Sequence, residues 1–141
     1  MWRWKWSRIP INSTYLLKDE LELTKCNFIH ARAEEIGQNR DYREKFEIVT
    51  ARAVARLNVL SELCLPLVRK NGYFLSFKAQ KAEEETKEAL NAIKLLGGKL
   101  EKDLEFSIEG EERHILEIRK AKETPNKYPR KVGTPNKKPL Y

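Results

Sequence analysis

Apolar residues fall in short bursts separated by charged stretches, and the spacing within each burst predicts an element. Tyr15, Leu16, Leu17, Leu21 and Leu23, with charges between them, predict a short amphipathic helix over Thr14–Leu23. Phe28 and Ile29 centre a short strand over Asn27–Ala31. Ala33–Gly37 and the charged Gln38–Lys45 read as a turn or short surface helix, and Phe46-Glu-Ile-Val-Thr50 is a β-branched run of strand type. Val54, Leu57, Leu60 and Cys64 sit at helical spacing in Ala53–Leu65, which Pro66 stops or kinks. Asn71-Gly72 reads as a helix-terminating pair before a strand at Tyr73–Phe77. The clearest helix is Lys81–Leu96, with Ala82, Ala89, Ile93 and Leu96 on one face and Gly97-Gly98 at its end. Leu100–Ile108 and His114–Ile118 flank the polar Glu109-Gly-Glu-Glu112, as two strands of a hairpin would.

Strands alternating with helices predict an α/β fold. Its sheet should be parallel, with helices on both faces and an antiparallel hairpin added at one edge. A length of 141 residues suits one domain with a core.

Charge changes the picture at the two ends. Of the net +7, Arg3, Lys5 and Arg8 supply +3, and six cations against Glu123 in 121–141 supply +5, leaving −1 for 9–120. Positive segments of this kind meet phosphate, where released counterions favour binding, or they serve only to keep a chain in solution. With Pro125, Pro129, Pro135 and Pro139 and few apolar residues, 121–141 is expected to be extended and partly disordered. Cys26 and Cys64 show no pairing pattern and read as free thiols in a reducing, cytoplasmic setting. Two Cys and two His are few for a metal site. His30 and His114 fall in strand patterns and read as structural. No apolar run approaches the roughly 20 residues of a membrane helix, and the start lacks the apolar core of a secretory signal.

Three stretches together resemble one family. They are Phe28-Ile-His-Ala-Arg-Ala-Glu-Glu-Ile-Gly-Gln38, then Phe46-Glu-Ile-Val-Thr-Ala-Arg-Ala-Val-Ala-Arg-Leu57 with Leu60-Ser-Glu-Leu-Cys-Leu-Pro-Leu67, and Thr124-Pro-Asn-Lys-Tyr-Pro-Arg-Lys-Val-Gly-Thr-Pro-Asn-Lys137. They are similar to the GidB/RsmG small-subunit ribosomal RNA methyltransferases, over roughly 15–141. The resemblance implies transfer of methyl from S-adenosylmethionine to guanine N7 of 16S ribosomal RNA, with that RNA or the small ribosomal subunit as partner and neither metal nor membrane involved. It implies a class I methyltransferase, Rossmann-like sheet of strand order 3-2-1-4-5-7-6. On it, Ala33 and Glu34 match a pair that contacts the adenosyl part of the donor, and Arg52 matches a donor-site arginine at a strand's carboxyl end. The other readings are a helix-start acid for Glu34 and a surface arginine for Arg52. Lys127, Arg130, Lys131, Lys137 and Lys138 become the RNA-binding candidates. No nucleophile–base pair is needed, because the sulfonium donor is already activated and N7 carries its own lone pair.

The family's first two strands and the glycine-rich loop between strand and helix have no counterpart here. The expected organisation is an aberrant stretch over 1–14, a partial methyltransferase domain over 15–120, and a basic, proline-rich tail over 121–141. Loss of the two strands would separate 27–31 from 46–50 and leave the latter with a bare edge. Trp has one codon, TGG; read one base later, Met1-Trp-Arg-Trp-Lys-Trp6 gives glycines at alternate positions, and Arg8-Ile-Pro10 can read Gly-Phe-Pro. A frame-shifted, shortened reading frame is therefore expected, and the gene's nucleotide sequence tests it. Alternating Trp and cations also suit a two-faced strand or a membrane-active peptide. The rival to an enzyme is a non-catalytic RNA-binding fragment that uses the tail.

Overall fold

A computed structural model describes residues 11–52, 55–79 and 83–141. The readings of the opening Trp–cation stretch, of Val54 and of Ala82 lie outside those residues. The chain divides into two compact units, Met1–Ala31 and Arg32–Tyr141.

In the first unit, α1 (Ile11–Glu20) overlaps the helix predicted over Thr14–Leu23 but ends before Leu21 and Leu23, and Leu16, Leu21 and Leu23 are exposed. Tyr15 meets Phe28 edge-on, ring centroids 5.7 Å apart, and its hydroxyl donates to the Phe28 carbonyl at 3.4 Å. The strand predicted over Asn27–Ala31 does not form. A strand needs a neighbour's N–H and C=O groups, and 27–31 makes no strand pairing among the described residues. Ile29 is 54% exposed, and His30 is exposed outside any strand.

The second unit opens with α2 (Ala33–Gln38), β1 (Phe46–Arg52) and α3 (Leu57–Cys64). A 3-10 turn at Leu65–Leu67 built on Pro66 then leads into β2 (Val68–Lys78). Next come α4 (Glu83–Leu95), β3 (Gly98–Ile108), β4 (Glu111–Lys120) and the short α5 (Thr134–Lys137). Glu83, Glu84 and Glu85 in the first turn of α4 and Lys94 in its last complement the helix dipole. Gly97, at φ +87°, ends the helix where a Cβ would strike the Lys122 carbonyl. Glu109 and Gly110, both at positive φ, turn the predicted hairpin.

The sheet has the order β1-β2-β4-β3, with β1 parallel to β2 and the other pairs antiparallel. That is the 4-5-7-6 end of the expected methyltransferase order. Among the described residues β1 is an edge, and Ile48 on it is 57% exposed.

Asn71-Gly72 terminates no helix. Asn71, at φ +66°, and Gly72 bulge within β2, where the register jumps from Phe46↔Val68 to Ile48↔Tyr73. A Cβ at Gly72 would lie 2.5 Å from the Glu47 carbonyl, so the close approach of β1 demands glycine.

Parity decides which strand residues are core. Phe74, Leu116 and Ile118 join Leu57, Leu60 and Leu63 of α3 and Ala89 and Ile93 of α4, with Leu96, in one buried cluster. Tyr73, Leu75, Phe77 and Ile115 point the other way and are half-buried. Helices on both faces were expected; within this unit α3 and α4 pack on one. At about 1.5–3 kcal/mol for each large apolar side chain buried, the cluster is the main stabilising store of the unit.

The tail departs furthest from expectation. It is folded: Thr124, Tyr128, Pro129 and Pro135 are buried, and the Tyr128–Pro129 peptide is cis. Composition predicted disorder because the segment is poor in apolar groups. Polar anchors from the preceding chain replace them.

Candidate functional site

Ala33 opens α2, is half-buried and packs against the core cluster. Glu34 follows it and is buried, and its Oε1 accepts the Gly133 N–H of the tail at 3.0 Å. Arg52 is exposed at the carboxyl end of β1, opposite Phe77, with no ion-pair partner among the described residues. That is the strand end where open α/β sheets take ligands.

The RNA-binding candidates divide into two kinds. Lys127, Lys131, Lys137 and Lys138 are exposed, and Lys127 lies 5.2 Å from the centre of the Tyr128 ring. Arg130 instead turns inward to Glu62, a carboxylate with 0% exposure on α3. Glu62 Oε1 accepts from the Arg130 backbone N–H at 2.9 Å and from Nε at 2.8 Å, and Oε2 accepts from Nη2 at 2.6 Å. Nη2 also donates to the Lys138 carbonyl at 2.7 Å, so the same guanidinium folds the end of the tail back. The hydrogen bonds to Glu62 raise the Arg130 pKa above its already high ordinary value.

Further anchors hold the tail at both ends. The Arg43 guanidinium donates to the carbonyls of Gly37 (2.9 Å), Tyr128 (2.6 Å), Thr124 (2.9 Å) and Pro125 (3.2 Å). Gln38 Nε2 donates to the carbonyls of Pro129 (2.7 Å) and Asn126 (3.2 Å). Pro129 itself fills the space a Cβ on Gly37 would need, 2.7 Å from its Cγ. Thr124 donates its N–H to Glu44 at 2.9 Å and its hydroxyl to the Leu96 carbonyl at 2.7 Å. Asn58 of α3 reaches the Leu140 carbonyl at 2.8 Å.

Glu44 also pairs at 3.0 Å with Lys120, a fully buried ammonium that donates to the carbonyls of Leu65 (2.7 Å) and Val68 (3.0 Å). Burial lowers the Lys120 pKa. Burial pushes the Glu44 carboxyl up, but the Thr124 N–H and Lys120 outweigh it and leave the pKa lowered. In the hairpin, buried His114 lies 2.6 Å from Glu112 and 2.7 Å from Asp103, and these bonds raise its pKa. Burial pushes the Cys64 thiol up to about 12, which leaves it unreactive. Among the described residues no His, Cys, Asp and Glu side chains group to hold a metal ion, and no helix is long and apolar enough to cross a membrane.

Glu62, Arg43 and Gln38 were missed in the sequence reading. A signal was present: α3 is buried along its whole length, yet carries Asn58, Ser61 and Glu62. Polar residues in a wholly buried helix require polar partners, and the tail supplies them to Asn58 and Glu62.

The chain is similar to proteins called ribosomal RNA small subunit methyltransferase G. That of Listeria monocytogenes is 59% identical over 126 residues, covering 88% of this chain and 53% of the relative. That of Bacillus velezensis is 58% identical over 126 residues, with the same two shares. That of Lactobacillus acidophilus is 52% identical over 127 residues, covering 89% of this chain and 53% of the relative. The chain thus spans about half the length of the curated relatives it matches. A family model described as rRNA small subunit methyltransferase G matches residues 13–116, and the chain belongs to that family, GidB.

Proposed function

We propose that this chain forms part of an S-adenosylmethionine-dependent methyltransferase acting on guanine N7 of 16S ribosomal RNA. Ala33, Glu34 and Arg52 belong to its donor side, and Lys127, Lys131, Lys137 and Lys138 face the RNA. Arg130 belongs to the same basic segment and holds it. Family membership supports the reaction class. The observation that carries the reading of the site is the Gly133–Glu34 hydrogen bond, which joins the basic segment to the donor-side helix at 3.0 Å.

The described residues do not amount to a complete donor site. Their glycines lie in α2, in the β2 bulge, at the α4–β3 junction, in the hairpin turn and before α5, and none forms a strand-to-helix cradle. One oxygen of Glu34 is already engaged by the tail. The chain alone should therefore bind the donor weakly or not at all. Titration calorimetry with S-adenosylmethionine checks this, and micromolar binding would contradict it. RNA binding should persist, with a strong salt dependence. Replacing the four exposed lysines by glutamine should weaken it and flatten the slope of log affinity against log salt. An unchanged slope would remove the tail from the RNA interface.

A further inference from the structure

In most basic tails cations act as a loose cloud of charge, and geometry matters little. Here Thr124, Tyr128, Arg130 and Gly133 are held by hydrogen bonds to the preceding chain, while the four lysines stay exposed. Glu62 holds Arg130 by backbone and side chain together. Arg43 closes the opening turn across the Thr124, Pro125 and Tyr128 carbonyls. Each anchor lies on the preceding chain, far in sequence from the lysines it serves. Ordering the segment before RNA arrives removes an entropic penalty that a disordered polycation meets on binding.

We infer that Glu62 and Arg43 are positioning residues for RNA binding: they shape 124–138 into a preformed loop that presents Lys127, Lys131, Lys137 and Lys138 to phosphates together. Glu62, a buried acid, thereby strengthens the binding of a polyanion it never touches. The inference rests on the reading of the tail as the RNA contact.

Charge alone and positioning predict opposite signs for one variant. Glu62→Gln deletes a negative charge and no cation, so a charge-only tail would bind RNA as tightly or more tightly. A preformed loop predicts binding about tenfold weaker. It also predicts a shallower salt slope with every lysine present, because fewer phosphates are met at once. Loss of stability alone would leave that slope unchanged in the folded fraction.

The experiment measures the full chain against protein-free 16S ribosomal RNA by fluorescence anisotropy over a range of salt, for native, Glu62→Gln, Arg43→Lys and the four-lysine variant. Trypsin cleavage at Lys127 and Lys131, compared with cleavage in β2, reports whether the loop alone has opened. Arg43→Lys keeps its charge and lies outside α3, so it decides the matter if Glu62→Gln does not fold. Weaker binding, a shallower slope and early cleavage at Lys127 and Lys131 are expected of both anchor variants. If the four-lysine variant loses binding while both anchor variants bind as the native chain does, positioning is overturned and the RNA reading stands. If the four-lysine variant also binds normally, the RNA reading itself fails.

Discussion

Residues 26–31 and 124–130 exchange the fates their composition predicts. The first holds Phe28 and Ile29, good strand formers, yet makes no strand and leaves Ile29 mostly exposed. The second holds two prolines, a lysine and an arginine, yet Thr124, Tyr128 and Pro129 are buried. The difference lies in what each segment needs from the rest of the chain. A strand needs a continuous row of backbone partners, and 26–31 has none among the described residues. The tail needs a few strong polar contacts at fixed points, and Arg43, Glu44 and Glu62 provide them. Charged hydrogen bonds at about 1.5–3 kcal/mol each can order a segment whose apolar content cannot.

Arg130→Met should break this comparison most severely, because it leaves the Glu62 carboxylate buried without its ion partner. Removing one member of a buried pair costs about 3–5 kcal/mol, and the lower end applies here since the Arg130 side chain is 25% exposed. The midpoint of urea denaturation, read at constant slope, measures it. Arg43→Met should cost about 1.5–3 kcal/mol by freeing carbonyls that are partly buried. Both losses should appear first as cleavage within the tail.

The hairpin offers a pH-dependent case of the same kind of anchoring. Hydrogen bonds to Glu112 and Asp103 raise the His114 pKa above 6.5. A raised folded-state value means the stabilisation is complete below the unfolded pKa and is lost as pH rises through the folded one. Thermal stability should therefore decline above about pH 6.5, and His114→Gln should flatten that decline. A native titration curve that stays level from there into the alkaline range would count against the ion pairs. The smallest effect belongs to the other side of the comparison: Ile29→Thr should change stability by no more than about 0.5 kcal/mol, since the residue is exposed and unpaired.

The sequence showed its helices and sheet well where spacing alone decides. Leu57 with Leu60, and Ala89 with Ile93 and Leu96, were legible as core because helical periodicity needs no knowledge of partners. Strand residues were harder. Ile48, Leu75, Phe77 and Ile115 are as apolar as Phe74 and Ile118, and only the placement of α3 and α4 on one face separates core from rim. Asn71-Gly72 reads the same at a helix end or a bulge, since both use positive φ. Of the proposed site, Glu34 and Arg52 came through the family resemblance, and the lysines through charge. Arg43 and Glu62 stayed hidden because their partners are backbone groups or an arginine about seventy to eighty-five positions away.

Native-state hydrogen exchange tests the central claim most directly, residue by residue. The Arg130 and Gly133 amides, bonded to Glu62 and Glu34, should exchange slowly, at rates approaching those of Phe74 in the sheet. Ile29 should exchange almost as fast as an unfolded chain. Tail amides exchanging at random-coil rates, level with Ile29, would show that the segment is a free polycation and contradict the account.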